Sequence, residues 1–252
     1  MRMIILLLAA WSMFAADRHI AVISHRGEHL SHPENTLAAY RAAIDLGADF
    51  FEVDVQTTAD GRLVLMHDRT VDRTTNGKGA VAQLTFAEIR KLKVGGVGGE
   101  QVPTFDEALA LAKGRIGVYV DAKRVSAEDL VAALDRHKMD GHVVVYGGLD
   151  YLKGVRKLRP RVRVMPESVS LAVVEKIITE LKPEVIAFSH RDWRDDIIQA
   201  ARRSGAGVFV DRLGPEDTPS AWQDAIDRGA TGIQTDHVAD LVAYLRARGL
   251  HK

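Results

Sequence analysis

The chain has 252 residues, and its 34 lysines and arginines are matched by 34 aspartates and glutamates, so no global charge is available to hold a nucleic acid or another polyanion. An apolar fraction of 46% beside 27% charged residues suits a folded protein with a sizeable core. The absence of cysteine excludes disulfides, thiolate metal sites and thiol nucleophiles.

After Arg2 the run Met3 to Ala10 is wholly apolar, and only Ser12 interrupts the pattern before Ala16. This is shorter than the ~20 apolar residues of a membrane helix and fits the core of an export signal with small residues at its exit. Residues 1–16 are therefore expected to be a signal peptide. Residues 17–252 would then be periplasmic or extracellular, with no membrane span after cleavage. An uncleaved anchor or a buried first element is the alternative.

From residue 20 onward short β-branched runs alternate with longer amphipathic segments. Nine runs predict strands: Ile20–Ser24, Asp49–Gln56, Arg62–His67, Ile116–Lys123, His142–Gly147, Arg161–Glu167, Val185–His190, Gly207–Arg212 and Gly232–Asp236. Apolar spacings of three and four predict helices over Thr36–Leu46, Phe105–Lys113, Ala127–His137, Leu171–Leu181, Asp195–Ser204 and Ala221–Arg228. Thr104 and Glu107 make a capping box, and Gly47, Gly205 and Gly229 stand where helices stop.

Only Thr57 to Gly61 separates the second run from the third, too little for a parallel crossover, so the third run must turn back as an antiparallel excursion. Eight parallel strands remain, and eight strands with intervening helices predict a single (β/α)8 barrel, a TIM barrel of α/β class. Residues 68–102 form an insertion after the second strand, with glycine-rich stretches and one helical pattern around Phe86 to Leu92. It reads either as a surface insertion or as a lid over one barrel mouth.

Alternation along the second strand puts Glu52 and Asp54 on one face, while Phe51, Val53 and Val55 face the helices. In the next barrel strand Asp121 and Lys123 share a face. Carboxylates converging inside a barrel require a cation, a basic partner or protonation. Three of them suit one hard divalent metal, and a structural salt-bridge layer with Lys123 or Arg26 is the alternative. His25 and His67 fall at strand ends, where barrel enzymes place acid/base groups. His190 ends a strand at the same mouth. Arg26 and Lys123 add positive charge suited to phosphate oxygens.

These residues stand within His25-Arg26-Gly27, Pro33-Glu34-Asn35-Thr36, Glu52-Val53-Asp54-Val55, Asp60-Gly61, His67-Asp68, Asp72 to Gly77, Val102 to Glu107 and Gln234-Thr235-Asp236. In order and spacing the series closely resembles the glycerophosphodiester phosphodiesterase family. The resemblance implies a barrel of the PLC-like phosphodiesterase type that hydrolyses glycerophosphodiesters, small-molecule substrates, to glycerol 3-phosphate and an alcohol with one divalent cation, calcium or magnesium. Carried over by position, His25 and His67 look like the acid/base pair and Arg26 and Lys123 like phosphate binders. Glu52, Asp54 and Asp121 look like metal ligands, with Glu34 and Asn35 in support. Where the family usually has glutamate, Asp121 is shorter by one methylene, which puts its direct coordination in question. The attacking oxygen belongs either to water or to the neighbouring glycerol hydroxyl, through a cyclic phosphate. A lipid-acting relative would need an apolar entry, for which Tyr146, Tyr151, Trp193 and Phe209 are candidates. An idle binding barrel would be expected to have lost one of these groups, and none is missing. An amidohydrolase would carry His-x-His on the first strand, which is absent.

Overall fold

Residues 19–96 and 98–252 are described by a computed structural model. The expected signal peptide, residues 1–16, lies outside the described residues. Eight strands pair in parallel: β1 (Ala21–Ser24), β2 (Phe50–Thr57), β6 (Gly117–Arg124), β7 (Val143–Gly147), β8 (Arg163–Ser168), β9 (Val185–Phe188), β10 (Gly207–Arg212) and β11 (Gly232–Thr235). The order β1-β11-β10-β9-β8-β7-β6-β2 is closed by a β1–β2 pairing, which makes the predicted barrel. The short β3 (Leu63–Leu65) runs antiparallel on β2, with Thr57 opposite Leu63 and Val55 opposite Leu65. The turn between them is tied by the Gly61 N–H to the Thr58 carbonyl at 3.0 Å, with Gly61 at φ +80°.

Helices α1 (Leu37–Leu46), α3 (Phe105–Ala112), α4 (Ala127–His137), α5 (Leu149–Leu158), α6 (Leu171–Leu181), α7 (Asp195–Arg203), α8 (Pro219–Asp227) and α9 (Val238–Arg246) follow the barrel strands in turn. The capping box at Thr104 forms as expected, and Thr36, Ser126, Ser170 and Thr218 cap α1, α4, α6 and α8 through their hydroxyls. Two apolar layers lie between strands and helices: one around Phe51, Val53, Phe105 and Leu134, the other around Ile20, Val208, Trp222 and Ile233. A third cluster fills the barrel itself, with Ile23, Tyr119, Val144 and Met165 at its centre and Phe50 and Phe209 packed against it. The polar groups at the mouth therefore stand on an apolar floor, where a charge without a partner is costly.

The insertion is more ordered than its sequence suggests. It contains α2 (Phe86–Ile89), opened by a second capping box at Thr85 and Glu88, and a two-residue pairing of β4 (Lys93–Val94) with β5 (Glu100–Gln101). Val71, Val81, Ile89, Val94 and Val102 pack with Val64 and Met66 as its own small core. The helical pattern around Phe86 to Leu92 is realised as α2, whereas strands of two residues are too short to show a period, which is why β4 and β5 were not legible in advance. No helix among the described residues is long and apolar enough to cross a membrane.

Candidate active site

The carboxylate cluster follows from strand register. Asp54 on β2 lies directly beside Asp121 on β6, and Glu52 lies beside Tyr119. Beyond Asp54 the pairing shifts, so that Gln56 meets Arg124. One ligand oxygen each from Glu52, Asp54 and Asp121 lies within 4.8 Å of the others, so the shorter Asp121 side chain does reach the cluster. Glu52 and Asp54 are 2% and 1% exposed, and burial raises the carboxyls of Glu52 and Asp121 above their ordinary range. Buried acids held close together resist ionising unless positive charge is brought to them. This donor set, three carboxylates and no imidazole or sulfur, fits a hard divalent cation.

Two cations already face the cluster. Lys123 Nζ is 2.6 Å from Asp121 Oδ2 and 3.4 Å from Asp54 Oδ1, and Arg26 Nε is 3.5 Å from Asp54 Oδ2. Burial works to lower the Lys123 pKa, but the attraction of Asp121 and Asp54 outweighs it and raises the value. The salt-bridge layer is thus real, yet it leaves three carboxylates against two basic groups.

Asp54 is fixed from behind. Asn35, at φ +56°, donates from Nδ2 to Asp54 Oδ2 at 2.7 Å and accepts at Oδ1 from the Asp54 N–H at 3.2 Å and the Tyr40 hydroxyl at 2.8 Å. Burial holds the Tyr40 pKa well above its usual value, so its proton stays available to donate. The Arg26 N–H donates to Glu52 Oε2 at 2.8 Å, and Arg26 Nη1 donates to Glu34 Oε1 at 3.2 Å. Glu34 and Asn35 thus bond to Arg26 and Asp54 from outside the cavity lining.

The histidines are each backed by a carboxylate. His25 Nδ1 lies 2.7 Å from Asp236 Oδ1, and His67 Nδ1 lies 2.8 Å from Asp68 Oδ1. A carboxylate on Nδ1 selects the tautomer in which Nδ1 carries hydrogen, leaving Nε2 free for a substrate. Burial lowers the His25 pKa, partly offset by the bond to Asp236, so the ring stays neutral at pH 7. Gln56, two residues beyond Asp54, fixes the His67 segment by donating from Nε2 to the Met66 and Asp68 carbonyls at 2.7 and 2.6 Å.

His25, Arg26, Glu52, Asp54, His67, Asp121 and Lys123 all line one cavity of about 170 Å³ at the C-terminal ends of the strands. Tyr146 and Phe209 line it too, whereas Tyr151 and Trp193 pack in the layers between strands and helices. His190 opens a short 3-10 turn after β9 and donates from Nδ1 to Asp211 Oδ1 at 3.0 Å; Asp211 lines the cavity, and His190 is outside the lining.

Sequence reasoning assigned no role to Asp236, Arg73, Gln56 or Asp211, nor to Glu167, which also lines the cavity. Asp236 was within reach: a closed barrel sets the last strand beside the first, and Ser24 pairs with Thr235, so the residues after them must meet. Arg73 had no such signal. From the insertion it donates to both Glu34 oxygens at 2.8 Å and to Asp68 at 2.7 and 3.0 Å, joining the supports of Arg26 and His67.

The fold and the groups at its mouth are those of a (β/α)8-barrel enzyme. The chain belongs to the glycerophosphoryl diester phosphodiesterase family, whose model matches residues 25–240. A glycerophosphodiester phosphodiesterase of Caldanaerobacter subterraneus is 32% identical over 90% of this chain and 98% of its own length, and one of Bacillus subtilis is 31% identical over 90% and 86%. A crystal structure of glycerophosphodiester phosphodiesterase from Agrobacterium tumefaciens shares 29% identity with a TM-score of 0.78, over 87% of this chain and 97% of that one. A phosphodiesterase from Oleispira antarctica, solved with the product sn-glycerol-3-phosphate, has the same fold at 20% identity and a TM-score of 0.78, over 90% and 96% of the two chains.

Proposed function

We propose that this enzyme hydrolyses glycerophosphodiesters to sn-glycerol 3-phosphate and an alcohol, with His25 as general base and His67 as general acid. The observation that carries the reading is the pair of imidazoles lining one cavity, each with a carboxylate on Nδ1, beside two buried carboxylates, the partly buried Asp121 and two cations. His25 Nε2 takes the proton of the attacking hydroxyl, that of water or of the neighbouring glycerol carbon, as its oxygen bonds to phosphorus; where glycerol attacks, water then opens the cyclic phosphate to glycerol 3-phosphate. The bond from phosphorus to the alcohol oxygen breaks, and His67, entering this step protonated on both nitrogens with its Nδ1–H on Asp68, gives its Nε2 proton to that oxygen. Arg26 and Lys123 hold the phosphoryl oxygens and stabilise the charge that builds on them.

Glu52, Asp54 and Asp121 would hold one divalent cation, calcium or magnesium. When bound, it would polarise a phosphoryl oxygen and help the attacking hydroxyl lose its proton. Charge balance supports it: a divalent ion added to three acids and two bases leaves a surplus of one positive charge, which a phosphodiester monoanion neutralises.

The test is a panel of glycerophosphocholine, glycerophosphoethanolamine and lysophosphatidylcholine, with chelator and then with calcium or magnesium restored. Glycerol 3-phosphate should appear from the first two, vanish with chelator and return with the ion. His25→Ala and His67→Ala should each lower kcat by about 10²–10⁴-fold with folding intact. Release of product by a fully active His67→Ala enzyme would overturn the acid/base assignment. The apolar pattern of residues 1–16 supports export of a barrel domain spanning 17–252, checked by sequencing the N-terminus of protein recovered outside the cytoplasm.

A further inference from the structure

The opposite end of the barrel carries a second set of ligating side chains that the reaction does not use. His19 precedes β1, Asp49 precedes β2 and His251 follows the last helix, so three remote segments meet below the strands. One ligand atom from each lies within 4.8 Å of the others. His19 Nε2 is 2.8 Å from Asp49 Oδ1, His251 Nδ1 is 3.4 Å from Asp49 Oδ2, and the two rings stack with centroids 4.9 Å apart.

The state of His251 is the informative detail. Its side chain is 3% exposed, and Nε2 lies 2.9 Å from the Gly47 carbonyl. Only an N–H satisfies a carbonyl, so Nε2 carries hydrogen, and in the neutral ring Nδ1 is a bare lone pair. That nitrogen is buried, has no hydrogen-bond partner among the described residues, and faces a carboxylate oxygen. Two acceptors facing each other in a buried place repel unless something positive lies between them.

A proton would serve, but three features fit a metal better. An imidazole that ligates through one nitrogen is characteristically oriented by donating the other N–H to a carbonyl. The 3.4 Å separation of His251 Nδ1 and Asp49 Oδ2 matches the roughly 3.3–3.6 Å between ligands of a tetrahedral ion bound at about 2.0–2.2 Å, and the 2.8 Å hydrogen bond from His19 Nε2 to Asp49 Oδ1 is the contact the ion would replace. Asp49 is also preorganised, its Oδ2 accepting the Val22 N–H at 2.8 Å. Two nitrogens and one oxygen suit a borderline transition cation, where the carboxylate cluster at the other mouth suits a hard one.

We infer that His19, Asp49 and His251 form a second cation site, for Zn²⁺ or a transition ion of similar preference, that fastens the segments before β1 and after α9 to the floor of the barrel. These two segments are already adjacent there, with the Ile20 N–H bonded to the Leu250 carbonyl at 2.9 Å. Residues at this face of a (β/α)8 barrel serve stability, which gives the ion a structural role.

The test is equilibrium dialysis of the full chain against ZnCl₂, with bound zinc counted and thermal unfolding followed in parallel. The unaltered protein should bind one zinc per chain that His19→Ala and His251→Ala lose with at least a tenfold fall in affinity, and that Glu52→Gln keeps. Zinc should raise Tm in the unaltered protein and not in the two histidine variants, and cobalt should give a visible tetrahedral spectrum that both variants abolish. His19 is 40% exposed, so His19→Ala gives a folded variant even where His251→Ala does not fold, and its basal hydrolysis should be unchanged. Equal zinc binding by all four proteins would overturn the inference, as would no zinc binding by the unaltered one.

Discussion

The Asp236 carboxylate governs His25 more than its distance from it in sequence suggests. Burial works to raise the Asp236 pKa, but bonds from His25 and from the Gly214 N–H outweigh it and bring the value down to about 2. A carboxylate depressed in the folded state stabilises the fold above its ordinary value of 3.8, and that contribution is lost as pH falls toward 2. Throughout any assay range Asp236 is therefore an anion that holds the His25 ring in place. Asp236→Asn should keep the fold and lower kcat about a hundredfold, read by steady-state kinetics beside circular dichroism. Because burial lowers the His25 pKa, the proton-free base persists below the ordinary 6.5, and the acid limb of the kcat/KM profile should have its midpoint below that value. A midpoint at or above 6.5 would remove His25 from the role of base.

Between β1 and α1 the chain turns through Arg26 at φ +54° and Gly27 at φ +81°, which aims His25 and the Arg26 guanidinium into the mouth. A Cβ at Gly27 would sit 2.7 Å from the Ala39 Cβ and 2.8 Å from the Ala39 carbonyl carbon. Gly27→Ala should cost about 3 kcal/mol from the left-handed backbone and the clash together, measured by denaturant unfolding. The glycine stood in a motif, so its presence was legible, but its reason is α1 packing across the turn. The insertion acts at the same scale. Arg73 is about half exposed and ties Asp68 to Glu34, so Arg73→Ala should hardly change stability yet lower kcat about tenfold by loosening His67. A kinetic effect confined to KM would argue that Arg73 meets the substrate instead.

Across the whole molecule, balanced charge resolves into local arrangements: acids and bases gathered at the C-terminal mouth, and a smaller imidazole and carboxylate set at the other end. Filling the carboxylate cluster should stabilise the protein. Calcium or magnesium at about a hundred times Kd adds roughly 2.7 kcal/mol, or a Tm rise of about 5–10 °C for a domain of this size, visible by scanning calorimetry and reversed by chelator. Glu52→Gln should blunt that rise.

The barrel was legible because eight β-branched runs separated by amphipathic helices leave few other topologies, and because side chains alternate along a strand. The same alternation exposed Glu52, Asp54, Asp121 and Lys123, and the strand-end rule exposed His25 and His67. Periodicity carries no record of which distant residues meet. Asp236 reaches His25 only through barrel closure, Arg73 reaches Glu34 and Asp68 only through the packing of a small insertion core, and His251 reaches Asp49 only where the segment after α9 returns to the start of β2. Sequence determined the chemistry each strand presents, since that is a local property of spacing. Tertiary structure alone decided which groups support one another, because those contacts arise where long-range burial brings separate segments together.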